Sequence, residues 1–114
     1  MRDKIGDKAR LQHILDAIAE IHSFTEDVDF EGFANSSIIK SACICQLEIV
    51  GEACNHLSKN LKDDNNDIAW HQIIRLRNFL IHQYFGVDEA LVWDVIRQDL
   101  PALEDRAKEL LKMV

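Results

Sequence analysis

The sequence predicts an all-α fold, an antiparallel, up-and-down bundle of four to five helices. Apolar residues recur at three- and four-residue steps along most of the chain, which is the spacing of one helix face. The 114 residues contain only four glycines and one proline, so few positions suit the tight turns that a many-stranded sheet needs. Short connections make successive helices antiparallel neighbours. The length is that of a single domain over residues 1–114.

Two long helices are predicted in the first half of the chain. The first covers residues 3–24 and has an apolar face made of Leu11, Ile14, Leu15, Ile18 and Ile21. A connection follows, in which Asn35 or Ser36 can cap the next helix. The second helix covers residues 37–61, with an apolar side that includes Ile39, Ala42, Ile49, Val50, Ala53 and Leu57. Gly51 inside it costs helix stability, so we expect another backbone to pack closely there.

A third helix follows the polar run KDDNND, which we expect to be a turn. Asp67 is a good N-cap for this helix, which extends to about Phe85. Gly86 then stands where a left-handed residue is commonly needed to end a helix. The third helix carries the least regular apolar pattern in the sequence.

The C-terminal part of the chain predicts two further helices. Asp88 can cap the fourth, whose apolar residues are Leu91, Val92, Val95, Ile96 and Leu100. Pro101 is tolerated only in the first turn of a helix, so we expect a separate fifth helix to begin at Asp99. The core face of that last helix is made of Leu103, Ala107, Leu110 and Leu111.

The charge balance limits the classes of function. Thirteen Lys and Arg stand against 20 Asp and Glu, which gives a net charge of −7 and a pI near 5.1. Sequence-independent binding to nucleic acid comes from Lys and Arg that neutralise phosphates, so a protein that coats nucleic acid is excluded and any such role must be local. No signal peptide and no apolar run of ~18 residues is visible, so we expect no membrane contact and a cytoplasmic location.

The three cysteines lie in the predicted second helix. Their odd number, without a secretory signal, indicates reduced thiols. Cys43 and Cys45 point roughly 200° apart on a helix, so they cannot converge on one metal ion. We expect Cys43, Cys45 and Cys54 to be small core residues and the protein to have no metal site.

Arg77 interrupts the apolar pattern of the third helix. At ~100° per residue it lies near the middle of an arc made of Trp70, Ile73, Ile74, Leu76, Leu80, Ile81 and Tyr84. A guanidinium cannot give up its proton and is costly to bury unpaired. Arg77 therefore needs a carboxylate partner, a subunit interface or a ligand anion. Glu48 or Glu52 of the second helix could supply the carboxylate.

A polar stripe made of His71, Arg75, Asn78 and His82 flanks this arc. For His71 and Arg75 a solvated helix face is the favoured interpretation. His82 is different, because it lies five residues after Arg77 and near the helix end. A permanent cation beside a group that titrates near pH ~6.5 suits phosphodiester chemistry without a metal, although Arg and His also meet in structural hydrogen-bond networks.

The segment RNFLIHQY, residues 77–84, resembles the signature of the HEPN superfamily, in which an Arg and a polar residue precede a His. More narrowly, Arg-x4-His-x-Tyr is similar to the HepT toxins that are encoded beside a minimal nucleotidyltransferase antitoxin. The likeness covers nearly the full chain, through GEA at 51–53, Trp70, LRN at 76–78 and GVDEALVWDVIRQDLPAL at 86–103. Ala69 stands where relatives often have Pro, which concerns a helix start and no catalytic residue.

The resemblance implies an all-helical homodimer that dimerises through the motif helix. It also implies a metal-independent endoribonuclease toxin without a cofactor, in which Arg77, Asn78 and His82 act on RNA at the dimer cleft. Tyr84, the one tyrosine of the chain, matches the residue that the nucleotidyltransferase antitoxin modifies with AMP. A two-fold axis near the C-terminal half of the third helix would bring two copies of Arg77 and His82 together, giving the reaction both a base and an acid.

Two other functions stay open on the sequence. A non-catalytic HEPN subunit could present nucleotide or substrate to a nucleotidyltransferase, with Arg77 binding phosphate without hydrolysis. A helical interaction protein could use Arg77 only to pair with Glu48 or Glu52.

Overall fold

The helical periodicity of the sequence is borne out in the three-dimensional structure. A computed structural model describes the backbone of residues 2–82 and 88–114 and the side chains of residues 6–77 and 88–114. Helices joined by short connections make up these ranges, and none of them is long and apolar enough to cross a bilayer. In chain order they are α1 Arg2–Thr25, α2 Phe30–Ala34, α3 Ser37–His56, α4 Lys59–Asp64, α5 Trp70–His82, α6 Glu89–Asp94, a π-helical segment Val95–Asp99, and α7 Leu100–Met113.

Helix α1 packs against both α3 and α7, and it is antiparallel to each of them. Near the start of α1, the Asp7 carboxylate accepts hydrogen bonds from the Ser58 backbone N–H at 2.7 Å and from its hydroxyl at 2.6 Å, just past the end of α3. Near its other end, His22 lies 3.4 Å from Glu104 in the first turns of α7. Helix α5 packs on α3.

The core lies between α1, α3 and α7, as the apolar periodicity predicts. From α1, four of the five predicted apolar residues are fully buried, and Leu15 packs at the edge. In α3 the prediction was partly wrong. Ile49 is exposed at 44%, whereas Leu47 and two cysteines fill the core beside Val50 and Ala53. Ile49 instead lies on the exposed side of α3, next to the surface that carries Arg77.

The predicted second helix is two helices. Residues Leu57 and Ser58 are extended, with ψ of 147° and 149°, and they end α3 and begin α4. The Ser58 hydroxyl accepts from the Leu61 N–H at 3.2 Å as an N-cap while it donates to Asp7. Because α4 continues to Asp64, the first half of the run expected to be a turn is helical, and residues 65–67 form the turn. The break depends on a tertiary contact, which periodicity cannot reveal.

The starts of α2, α3 and α5 can also be compared with the prediction. Ser36 caps α3 as expected, its hydroxyl accepting from Ile39 N–H at 3.1 Å. The connection before it contains α2, whose N-cap Asp29 was not foreseen because five residues are too few to show a period. Asp67 was expected to cap the third helix, but α5 begins at Trp70 and the Asp67 carboxylate instead pairs with Arg106 at 3.2 Å. The expected end of that helix at Phe85 and Gly86 lies outside the described residues.

The fourth and fifth predicted helices run on without a break. Asp88 caps α6, accepting from the N–H groups of Ala90 and Leu91 as predicted. The π-helical segment then joins α6 to α7, and the Leu100 N–H donates to the Val95 carbonyl five residues earlier. Pro101 has no N–H and stands at the first positions of α7. The wider π turn therefore accommodates the proline without the separation that the sequence predicts.

Gly51 lies at a close contact between α3 and α5. A Cβ at this position would overlap the Cβ of Arg77, and it would lie 2.9 Å from the Arg77 Cγ and 3.3 Å from the Ile73 carbonyl oxygen. These neighbours are a backbone atom and the base of a side chain, so they cannot move aside unless α5 itself shifts. The expectation that another backbone packs closely at Gly51 is confirmed.

We predict that Gly51→Ala destabilises the protein by about 1–3 kcal/mol, because overpacking at the α3–α5 contact outweighs the better helix propensity of alanine. Thermal unfolding followed by circular dichroism measures the change. Gly6→Ala in α1 is the matched control, since a Cβ there meets nothing within 4 Å. The control should raise the melting temperature, and a Gly51→Ala variant as stable as the control would contradict the close contact.

Candidate functional site

Arg77 lies on the face of α5 that packs against α3. Its stem rests on Gly51, so the backbone of α3 fixes where the side chain leaves α5. The side chain is 29% exposed, which places the guanidinium at the boundary between the packed helices and solvent. An Arg on an apolar arc thus reaches the surface between α3 and α5.

Glu52 is the carboxylate that meets Arg77. Arg77 Nη2 and Glu52 Oε2 are 2.6 Å apart. The Oε2 atom is closed off from solvent, and the contact is an ion pair without hydrogen-bond geometry. The other oxygen, Oε1, lies 2.7 Å from His56 Nε2, one turn further along α3. A single carboxylate therefore links a histidine on α3 to the arginine on α5.

The charges around Glu52 favour its ionised form. The hydrogen bond with His56 lowers the pKa of the Glu52 carboxyl below its usual value, partial desolvation opposes this, and the positive charges of Arg77, His56 and Arg10 lower it further. The carboxylate is therefore negative at neutral pH and holds the guanidinium in place. Glu48, the other candidate, lies one turn earlier and makes no salt bridge with a described residue.

An open cleft of about 300 Å³ lies over this ion pair, and we call it the Arg77 cleft. Three helices form it. Arg77 comes from α5, and Arg10 and His13 come from α1. The remaining residues follow helical spacing along one face of α3 and are Cys45, Glu48, Ile49, Glu52 and Ala53. The cleft is small, and five of the eight described residues that line it are arginine, histidine or glutamate, so a charged group of a ligand would find partners there.

Arg10 and His13 are cleft residues that the sequence analysis missed. Arg10 is half-buried and His13 is exposed, and neither makes a salt bridge with a described residue. A signal for Arg10 was present in the sequence. It stands one turn before Ile14, so it lies at the edge of the apolar face of α1, as Arg77 does on α5.

The three cysteines differ in their surroundings. Cys43 and Cys54 are buried, and burial raises the pKa of the Cys43 thiol to about 11 and that of Cys54 to about 12. The expectation of core cysteines is confirmed for these two. Cys45 is exposed and lines the Arg77 cleft, so for Cys45 the expectation was wrong. All three thiols are free.

The other motif residues lie partly or wholly outside the described structure. The backbones of Asn78 and His82 belong to α5, with His82 its last residue, but their side chains lie outside the described residues. Tyr84 lies outside them altogether. Arg75 is exposed and faces a different groove of about 720 Å³, between α5 and the α6–α7 region. Arg75 and Arg77 therefore face separate surfaces although two residues apart.

Comparison with known proteins identifies the family. Residues 14–110 match the model described as "Ribonuclease HepT-like". "Putative RNase MJ1380" of Methanocaldococcus jannaschii is 36% identical, over 85% of this chain and 89% of its own. "Probable ribonuclease HepT" of Thermococcus cleftensis is 36% identical, over 96% and 99%. "Putative RNase TTE0752" of Caldanaerobacter subterraneus subsp. tengcongensis is 33% identical, over 90% and 91%. No solved structure matches. With its helical fold and these matches, the chain belongs to the ribonuclease HepT-like family.

Proposed function

We propose that this protein is a metal-independent endoribonuclease and the toxin of a toxin–antitoxin pair. The observation that carries the proposal is the position of Arg77, at the surface between α3 and α5 in a charged cleft, on the helix that also carries His82. The names of the relatives support RNA as the substrate. Phosphodiester cleavage requires at least a cation and an acid–base group that reach the same phosphate, and we assign these two roles to Arg77 and His82.

The proposed reaction is attack by the ribose 2′-hydroxyl on the adjacent phosphorus. A new O–P bond forms, the bond to the 5′-oxygen breaks, and a base takes the 2′ proton while an acid gives one to the leaving oxygen. Arg77, with Asn78 beside it, stabilises the charge that builds on the phosphate oxygens. The products are a 2′,3′-cyclic phosphate and a 5′-hydroxyl end, and no step requires an added co-reactant.

A homodimer supplies the second histidine. One chain has one motif His, whereas the reaction needs both a base and an acid. A two-fold axis near the end of α5 presents the same patch twice, so that the two copies of His82 take the two roles across a shared cleft. The oligomeric state, measured by light scattering, tests this part of the proposal directly.

We predict that His82→Ala lowers RNA cleavage by about 10²–10⁴-fold, the usual contribution of a general acid or base. Arg77→Ala should lower it by about 10²–10³-fold, because an oxyanion contact is lost. Cleavage is measured on purified protein with a chelator present, and the product ends are read by mass spectrometry. Arg75→Ala is the matched control on the same helix and should cleave as the unaltered protein does. Full cleavage by the folded His82→Ala variant would refute the proposal.

Regulation is proposed to act on Tyr84, through a nucleotidyltransferase antitoxin that transfers AMP from ATP to its hydroxyl and releases pyrophosphate. Tyr84 stands two residues after His82 and seven after Arg77 in the sequence, and we propose that its hydroxyl lies close to the phosphate that these two residues contact. The adenylate adds bulk and negative charge where substrate phosphate would bind.

We predict that incubation with ATP and a cognate minimal nucleotidyltransferase antitoxin adds one adenylyl group and abolishes cleavage. Tyr84→Phe should neither gain the mass nor lose activity, because the hydroxyl that accepts AMP is missing. Intact-mass measurement and the cleavage assay follow the two effects together. Inactivation of the Tyr84→Phe variant by the same treatment would show that the modified residue lies elsewhere.

The Arg77–Glu52 ion pair also fits a purely structural role, so this rival needs its own test. Glu52→Gln should lower the melting temperature at neutral pH, because α3 loses its charge contact with α5. The pKa of Glu52 is lowered in the folded protein, so its stabilisation is present above the unfolded pKa and is lost as pH falls through the folded pKa. The melting-temperature gap to the unaltered protein should therefore close in acid, and Glu48→Gln serves as control.

Measurements of stability and of RNA cleavage together distinguish a structural ion pair from a ribonuclease site. A structural pair alone predicts strong Arg77–Glu52 coupling in a double-mutant cycle of stability and no effect of either variant on RNA. The ribonuclease proposal predicts that Arg77→Ala loses cleavage even under conditions in which the variant is fully folded.

A further inference from the structure

We propose that Arg10 and His13 of α1 form a phosphate-binding subsite in the Arg77 cleft, holding the RNA backbone phosphate next to the one that Arg77 contacts. The inference rests on the proposed ribonuclease function and deepens it, since it names residues that position the substrate. Both side chains line the cleft together with Arg77, and they come from a different helix. The subsite would hold the RNA across α1 and α5.

The chemistry of the two side chains suits a phosphodiester. Arg10 is half-buried, and a guanidinium donates two parallel N–H bonds to phosphate oxygens. His13 stands three residues later on the same face of α1, so one ligand group can reach both. Neither makes a salt bridge with a described residue. Arg10 is near enough to Glu52 for its charge to lower the pKa of that carboxyl, so an entering phosphate would share Arg10 with Glu52.

The acidic residues of the cleft do not cancel this subsite. Glu52 is occupied on both oxygens, by His56 at 2.7 Å and by Arg77 at 2.6 Å. Glu48 makes no salt bridge with a described residue, so its charge opposes an entering phosphate. The cleft thus has one repulsive carboxylate, and removing that charge by Glu48→Gln should strengthen RNA binding through the same subsite.

Cys45 provides a readout of the cleft that does not depend on cleavage. It is exposed and lines the cleft, whereas Cys43 and Cys54 are buried and have raised thiol pKa values. The thiolate is the reactive form, so alkylation of the folded protein should occur at Cys45 first. A ligand held by Arg10 and His13 would share the cleft with Cys45, so we expect it to slow the alkylation of this thiol.

The test uses the full chain and a short 2′-O-methyl RNA, which lacks the attacking hydroxyl and is bound without being cut. Iodoacetamide labelling of Cys45 is followed by mass spectrometry as the RNA concentration rises. We predict protection in the unaltered protein, and that Arg10→Gln needs about tenfold more RNA for half-protection. His13→Gln should shift the titration in the same direction, and Glu48→Gln should shift it to lower RNA concentration. The slope of log affinity against log salt should fall by about one phosphate contact in Arg10→Gln.

Lys8→Gln is the matched control, because Lys8 is an exposed cation on α1 that does not line the cleft. Its titration should coincide with that of the unaltered protein. Unprotected Cys45 at an RNA concentration where anisotropy shows binding, or an Arg10→Gln titration that coincides with the control, overturns the subsite. Cleavage of ordinary RNA is measured in parallel. Its absence overturns the proposed function, whereas cleavage with unprotected Cys45 overturns only the subsite.

Discussion

The close approach of α3 and α5 at Gly51 determines the geometry of the candidate site. Because position 51 has no Cβ, the stem of Arg77 can lie directly against the backbone of α3. The guanidinium then extends past that contact to Glu52, the next residue on α3. A larger residue would separate the helices and move Arg77 away from its carboxylate. The absence of a Cβ at Gly51 of α3 therefore fixes the direction in which the Arg77 side chain leaves α5.

Helix α1 contributes to both the interior and the site. Its apolar face supplies Leu11, Ile14, Ile18 and Ile21 to the core against α3 and α7. The flank of the same helix carries Arg10 and His13 to the rim of the Arg77 cleft. Asp7 fixes the register of α1 against the end of α3 through two hydrogen bonds to Ser58. The packing that builds the core thus also sets the position of the two cations relative to Arg77.

The acidic net charge and a role on RNA are compatible because electrostatic recognition is local. Neutralising phosphate over a wide surface would need an excess of Lys and Arg, and the chain has the opposite balance. In the Arg77 cleft, however, Arg10, His13 and Arg77 come together from two helices, and Glu52 is balanced by its partners. Such a surface favours weak, position-specific and salt-sensitive contact over general affinity for nucleic acid.

The sequence by itself determined the all-α class, the long helices, the capping role of Asp88, the close contact at Gly51 and the unusual place of Arg77, because these follow from local periodicity and residue chemistry. It left Asn35 and Ser36 as alternative caps of α3, and the structure selects Ser36. Only the tertiary structure decided the break at Ser58, which depends on Asp7 from a distant part of the chain. It also decided the choice of Glu52 over Glu48, and the meeting of Arg10 and His13 with Arg77. Those outcomes depend on how helices cross, and side chains distant in sequence meet only after the core has packed.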